Sequence, residues 1–114
     1  MTTTTAIKYA NQICYSDVRA HEIVRVISDT CVEVRRLKAT LDNWQPEFIP
    51  GGFAAHCINN RSQRYVYTSD ETEEIFRIRK SRSKSVRKGG KWFDAGGHYY
   101  KIEAEPYEFH DYNF

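Results

Sequence analysis

The stretch HEIVRVISDTCVEVRRLK, residues 21–38, constrains this chain more than any other. Val24 and Val26 form one row and Ile23 and Ile27 the opposite row. After Ser28-Asp29-Thr30 the pattern resumes, with Val32 and Val34 facing one way and Glu33 and Arg35 the other. Apolar alternation at period two, broken by turn residues, specifies an antiparallel β-hairpin.

The rest of the chain repeats this grammar. FAAHCI reads as a short buried strand, NNRS as a turn and QRYVYTS as an alternating strand. EIFRIRK places Ile75, Arg77 and Arg79 opposite Phe76 and Ile78. KWFDAGGHYYKIEA is a closing hairpin, because Gly96 and Gly97 can supply the positive φ a tight turn needs. Helix signals are weak throughout. Eight Tyr, six Phe and two Trp suit strands better than a helical bundle. The expected fold is all-β, a small single-domain barrel or sandwich of about seven short antiparallel strands. With 114 residues one domain is expected, at 21–114. Residues 1–20 are expected to form a partly flexible N-terminal segment opening on a frayed TTTT.

Cys14, Cys31 and Cys57 are widely spaced and form no CxxC pair, so a structural zinc site of ordinary spacing is not expected. No HxH, HxxxH or HExxH motif occurs, and no metal or cofactor is expected. No apolar run reaches the roughly 20 residues a bilayer span requires. A cytoplasmic protein with free thiols and no membrane partner is the expectation.

Two regions carry candidate chemistry. The first is WQPEFIPGGFAAHCINN, residues 44–60, a loop entering a strand. Its bland reading is a lid over the end of the fold. Its functional reading is a pocket in which Trp44 and Phe53 stack on a base while His56 and Asn59 read polar edges. His56 and Cys57 are adjacent on a strand and point to opposite faces, so they cannot readily share a metal or act as a nucleophile–base pair. The second region is RIRKSRSKSVRKGGK, residues 77–91, with eight of the chain's 17 basic residues and no acid. It reads either as a mobile solvated loop or as a phosphate-binding surface beside Trp92, Phe93, Tyr99 and Tyr100. Arg77 and Arg79 on one strand face would make a fixed phosphate fork, with Arg64 as a further phosphate contact.

HEIVRVISDTCVEVR, PEFIPGGFAAHCINN, QRYVYTS, IFRIRK, GKWFDAGG and the ending FHDYNF together resemble a family of small bacteriophage and gut-metagenome proteins. The resemblance covers about His21 to Phe114. It implies a phage context and location in the host cytoplasm, and no assigned chemistry. By analogy at that level, the expected function is an anti-defence protein. It would sequester a small phosphorylated nucleotide signal, of cyclic nucleotide or ADP-ribose type, at Trp44, Phe53, His56, Asn59, Arg64, Arg77, Arg79 and Trp92. An oligomer is expected if the aromatic tail Tyr107–Phe114 docks on a neighbouring copy. Two alternatives stand beside this. One is a phosphodiesterase-like enzyme with His56 as base and His98 or His110 as acid. The other is an inhibitor that contacts nucleic acid or protein through residues 77–91. A single placed histidine favours binding over turnover.

Overall fold

In the computed structural model, which describes residues 8–51, 54–85 and 87–113, the alternating segments pair as antiparallel strands. Ten strands lie among the described residues: β1 (Tyr9–Ile13), β2 (Val18–Ser28), β3 (Cys31–Arg36), β4 (Lys38–Leu41), β5 (Phe48–Gly51), β6 (Ala54–Cys57), β7 (Tyr65–Thr68), β8 (Ile75–Lys80), β9 (Trp92–Phe93) and β10 (Tyr99–Glu103). A 3-10 turn spans Asn60–Ser62. Six strands close into a barrel in the order β1-β10-β9-β8-β3-β2, and β2 pairs back onto β1. Barrel neighbours are also neighbours in the chain, apart from the β1–β10 closure and a four-strand insertion between β3 and β8. The fold is an up-and-down all-β barrel with an arm.

The arm continues the β3–β8 pair. Beyond Leu37, β4 pairs with β7 in register Lys38↔Thr68 to Leu41↔Tyr65. Its tip is the β5–β6 pair, Phe48↔Cys57 to Gly51↔Ala54. The Cα radius of gyration is 16.4 Å, and the extents are 53 × 33 × 25 Å. A compact chain of this length would have a radius of about 13 Å, so the arm projects from the barrel. Among the described residues no helix is long and apolar enough to cross a membrane.

Directly paired residues share a face of the sheet, and the pairs Val32↔Ile78, Val34↔Phe76, Ile23↔Val34, Ala10↔Ile102 and Tyr100↔Trp92 define the barrel interior. Ala10, Val32, Val34, Ile78 and Tyr100 are buried there, with Ile23, Phe76, Trp92 and Ile102 packed around them. The opposite row of β8, with Arg77 and Arg79, faces outward.

Three expectations are corrected. Ile23 and Ile27 do not share a row. A register shift between Ile23 and Arg25 makes Val26 the partner of Val32, because an extra residue at a bulge inverts the facing of everything after it. Residues 9–20 are not separate from the domain; β1 sits between β2 and β10 and closes the barrel. The 42–52 segment is not all loop, since β5 runs through Pro50. Proline is tolerated there because a two-stranded sheet leaves one side of each strand without a ladder partner.

His21 lies on the inner face at 4% exposure, edge-on to Phe76 and Tyr100 at ring distances of 5.6 and 5.3 Å. Its Nδ1 is 3.1 Å from the Arg19 carbonyl, which only an N–H can satisfy. Burial lowers its pKa from 6.5 to about 4, against the pull of that carbonyl. The unfolded chain therefore binds an extra proton between pH 6.5 and 4, and stability falls as pH falls through that window. The cost at pH 4 relative to pH 7 is about 3 kcal/mol. In denaturant titrations at pH 7 and pH 4, His21→Phe should lose less stability on acidification than the native chain by about this amount. Equal losses in both proteins would refute the role of His21.

Candidate functional site

The arm surrounds the segment 44–60, and the chain's own C-terminal tail fills the space beside it. Tyr112 lies 5.5 Å from the Trp44 ring, 6.3 Å from Phe48 and 4.6 Å from the His110 imidazole. Three amide side chains replace a β-ladder between arm and tail. Asn113 accepts from Cys57 N–H at 2.7 Å and donates to Cys57 C=O at 3.0 Å. Asn60 accepts from Tyr112 N–H at 3.1 Å and donates to Asp111 at 3.0 Å. Gln63 accepts from His110 N–H at 3.0 Å and donates to the His110 carbonyl. Residues 44–60 thus form the receptacle for residues 110–113. The argument for an oligomer from a tail seated on a neighbour falls, because the tail is seated on its own chain.

The proposed pocket residues are accordingly engaged elsewhere or apart. Trp44 Nε1–H donates to Ser62 Oγ at 3.0 Å. Asn59 accepts from Glu47 N–H at 2.8 Å and from Cys57 Sγ–H at 3.3 Å, and donates to Gln45 C=O at 2.8 Å, so its amide holds the loop. His56 is exposed on β6, while its neighbour Cys57 is buried; the strand is not buried on both faces. Phe53 lies outside the described residues. Arg64 is exposed beside β7, and its carbonyl accepts from Asp42 N–H at 2.8 Å. Trp92 packs against the barrel core. Cys14, Cys31 and Cys57 are free.

Arg77 and Arg79 are the two predicted residues that the fold brings together. They lie on the outer face of β8, opposite Glu33 and Cys31 of β3. With Lys80, Lys88, Phe93 and His98 they line a groove of about 840 Å³ across β8, β9 and the 94–97 turn. Trp44, at the arm, lines a different cavity with Leu41, Asn43 and Gln45. Arg77 is partly neutralised by Glu33, 3.2 Å away, which Arg25 also approaches at 3.6 Å. Arg79, Lys80 and Lys88 have no acidic partner among the described residues. The aromatic wall is Phe93, which directly pairs with Arg79 and so shares its face. Sequence reasoning named Trp92, its neighbour, whose side chain the strand period turns inward.

The basic run is an ordered hairpin rather than a bare connection. Ser81 N–H donates to Lys91 C=O at 2.7 Å and closes its base. The hydroxyls of Ser81, Ser83 and Ser85 accept from the N–H groups of Ser83, Ser85 and Lys88 at 3.1, 3.1 and 3.2 Å. The serines interleaved with the cations thus take up backbone donors that the ladder leaves unpaired.

At the far wall, Asp94 receives the N–H groups of Gly96 and His98 at 2.8 and 3.0 Å and the Tyr100 hydroxyl at 2.8 Å. Burial pushes its pKa up, yet these bonds together outweigh burial and hold the carboxyl below the ordinary range. Burial and the Asp94 carboxylate push Tyr100 well above the usual phenol range. Gly97, at φ 86°, takes the left-handed conformation this turn requires. No group of three His, Cys, Asp or Glu among the described residues is arranged to hold a metal ion.

The class of protein defined at this point is a small closed β-barrel with a tail-clasped arm and a cationic outer groove. Comparison with family models, curated proteins and solved structures found no match.

If residues 44–60 serve the tail, Tyr112→Ala should cost about 2 kcal/mol in denaturant unfolding, from lost aromatic packing. Asn59→Ala should also destabilise, by about 1–2 kcal/mol, since three loop partners lose their hydrogen bonds. Unchanged unfolding midpoints in both variants would show that the tail is not held there.

Proposed function

We propose that this protein binds a phosphate-bearing nucleotide in the groove of β8, β9 and the 94–97 turn. The observation that carries this reading is the juxtaposition of Arg79, Lys80 and Lys88, without acidic partners, with the Phe93 ring in one groove. Cations on a rigid ladder meet phosphate oxygens at little ordering cost, and an aromatic face accepts a base without regard to its identity. Asp94, the acid in the groove lining, is held by its own turn and does not offset them. In the phage setting implied by the sequence resemblance, such a binder would keep a cyclic nucleotide or ADP-ribose-type signal from its effector.

A second reading, single-stranded nucleic acid, is favoured by a different observation. The cations continue past the groove through Arg82, Lys84, Arg87 and Lys91, and the Lys91 ammonium lies 5.3 Å above the Tyr99 ring. A polymer would use that track and a mononucleotide would not.

The test is calorimetric titration with ADP-ribose, cyclic dinucleotides and a short single-stranded RNA. Arg79→Ala with Lys88→Ala should weaken the bound ligand about 100-fold, at about tenfold for each lost charge-assisted contact. Trp44→Ala and His56→Ala should leave affinity unchanged. Lys84→Ala with Arg87→Ala should weaken RNA alone and flatten its salt dependence, since each neutralised phosphate releases counterion. Affinity that survives loss of Arg79 and Lys88, or that depends on Trp44, would overturn the groove assignment.

A further inference from the structure

The groove wall at the 94–97 turn holds an oriented imidazole. His98 Nδ1 lies 3.0 and 3.1 Å from the two Asp94 carboxylate oxygens. The carboxylate is itself fixed by the Tyr100 hydroxyl and the backbone of its turn. An ionised carboxylate only accepts, so Nδ1 carries the proton and Nε2 of the neutral ring is left as a bare acceptor. Gly96 makes room for the ring. A Cβ there would meet His98 Cε1 at 3.2 Å and Nδ1 at 3.3 Å, closer than ordinary contact. Nε2 has no partner among the described residues, the side chain is 63% exposed, and the residue borders the groove that holds Arg77, Arg79, Lys80 and Lys88. His98 also closes its own turn, so the turn alone accounts for Nδ1. It does not account for a free acceptor beside a cationic groove.

We propose that the Asp94–His98 pair makes this groove a cleavage site for ribonucleotide 3′–5′ phosphodiesters. The inference rests on the groove being a nucleotide site. His98 Nε2 takes the proton of the 2′-hydroxyl, and the 2′ oxygen bonds to the adjacent phosphorus. The P–O5′ bond breaks, the departing 5′ oxygen takes a proton from water, and the imidazolium returns its proton to solvent. The products are a 2′,3′-cyclic phosphate and a 5′-hydroxyl, with no net oxidation or hydrolysis. The substrate carries its own nucleophile, so one positioned base suffices to start the reaction. Arg79 and Lys88 face the charge that builds on the phosphoryl oxygens. His98 is the catalytic residue, and Asp94 is a positioning residue that sets its tautomer. The required chemistry, a phosphodiester beside a free 2′-hydroxyl, occurs in linear RNA and in cyclic oligoribonucleotides alike.

The experiment incubates the full chain, with EDTA present, with a linear oligouridylate and separately with 3′,3′-linked cyclic diadenylate. Products are read by chromatography and mass spectrometry. An oligothymidylate, which lacks the 2′-hydroxyl, reports binding by fluorescence anisotropy. The expected products carry 2′,3′-cyclic phosphate ends, and the substrate that is cut identifies the source. His98→Ala and His98→Gln should each slow cleavage at least about 100-fold, and added imidazole should restore part of the rate in His98→Ala. Asp94→Asn should slow cleavage more than about tenfold while oligothymidylate binding holds. If oligothymidylate binds and neither ribonucleotide is cut, the cleavage inference is wrong and the binding reading stands. If nothing binds and nothing is cut, both fall. Cleavage that persists at full rate in both His98 variants, or products with other ends, also overturns the inference.

Discussion

The Arg36–Glu108 pair is the contact on which the relation of barrel, arm and tail depends. The guanidinium meets the carboxylate through two bonds, at 2.9 and 2.7 Å, with both side chains largely shielded. The same Arg36 nitrogen donates to the carbonyls of Ala20 and Leu37, and Glu108 accepts from Ala20 N–H at 2.9 Å. Glu108 N–H in turn reaches the Tyr67 hydroxyl on β7 at 2.8 Å. One bidentate pair therefore joins β2, the end of β3 where the chain leaves the barrel, the arm and the tail. A half-buried pair of this kind stabilises only when every remaining donor and acceptor is met, and here the backbone of β2 meets them.

That clasp decides which surfaces are left for a ligand. Asn11 is fully buried, donates to Glu103 and to the Glu105 carbonyl, and accepts from Tyr107 N–H, which starts the tail across the barrel. Phe109 exchanges two backbone bonds of 2.9 Å with Val18. Asn60, Gln63 and Asn113 then complete the path over the arm. Amides and aromatics that would suit a nucleotide pocket are consumed in this way. The cations of β8 and its hairpin have no such partners, and the groove beside them is where unmatched charge collects.

Much of the fold was legible in local pattern. The 21–38 hairpin, the β8 alternation and the Asp94–Gly97 turn all follow from period two and turn chemistry, because those signals act over a few residues. The facing of Arg77 and Arg79 was legible for the same reason. Less was legible at the candidate site. The Trp44–Asn60 segment has the composition of a pocket, and the composition of a pocket and of a clasp for a peptide tail is the same: aromatics plus amides. His21 looked like one scattered histidine among four, and only the barrel shows it held neutral between Phe76 and Tyr100. His98 carried a weak local signal in its spacing from Asp94 across two glycines.

By itself the sequence determined the strand class, most strand positions, the turns and the cationic face of β8, since each depends on side-chain alternation and on backbone preferences of neighbouring residues. The tertiary structure alone decided the closure of the barrel through β1 and β10, the bulge that turns Val26 toward Val32, and the seating of the tail on the arm. It also decided that Phe93 rather than Trp92 walls the groove and that His98 shares that groove with Arg79. These are pairings between residues far apart in the chain. Their free energy comes from surfaces and hydrogen-bonding groups that meet only after the loops between them have closed, so no local pattern announces them.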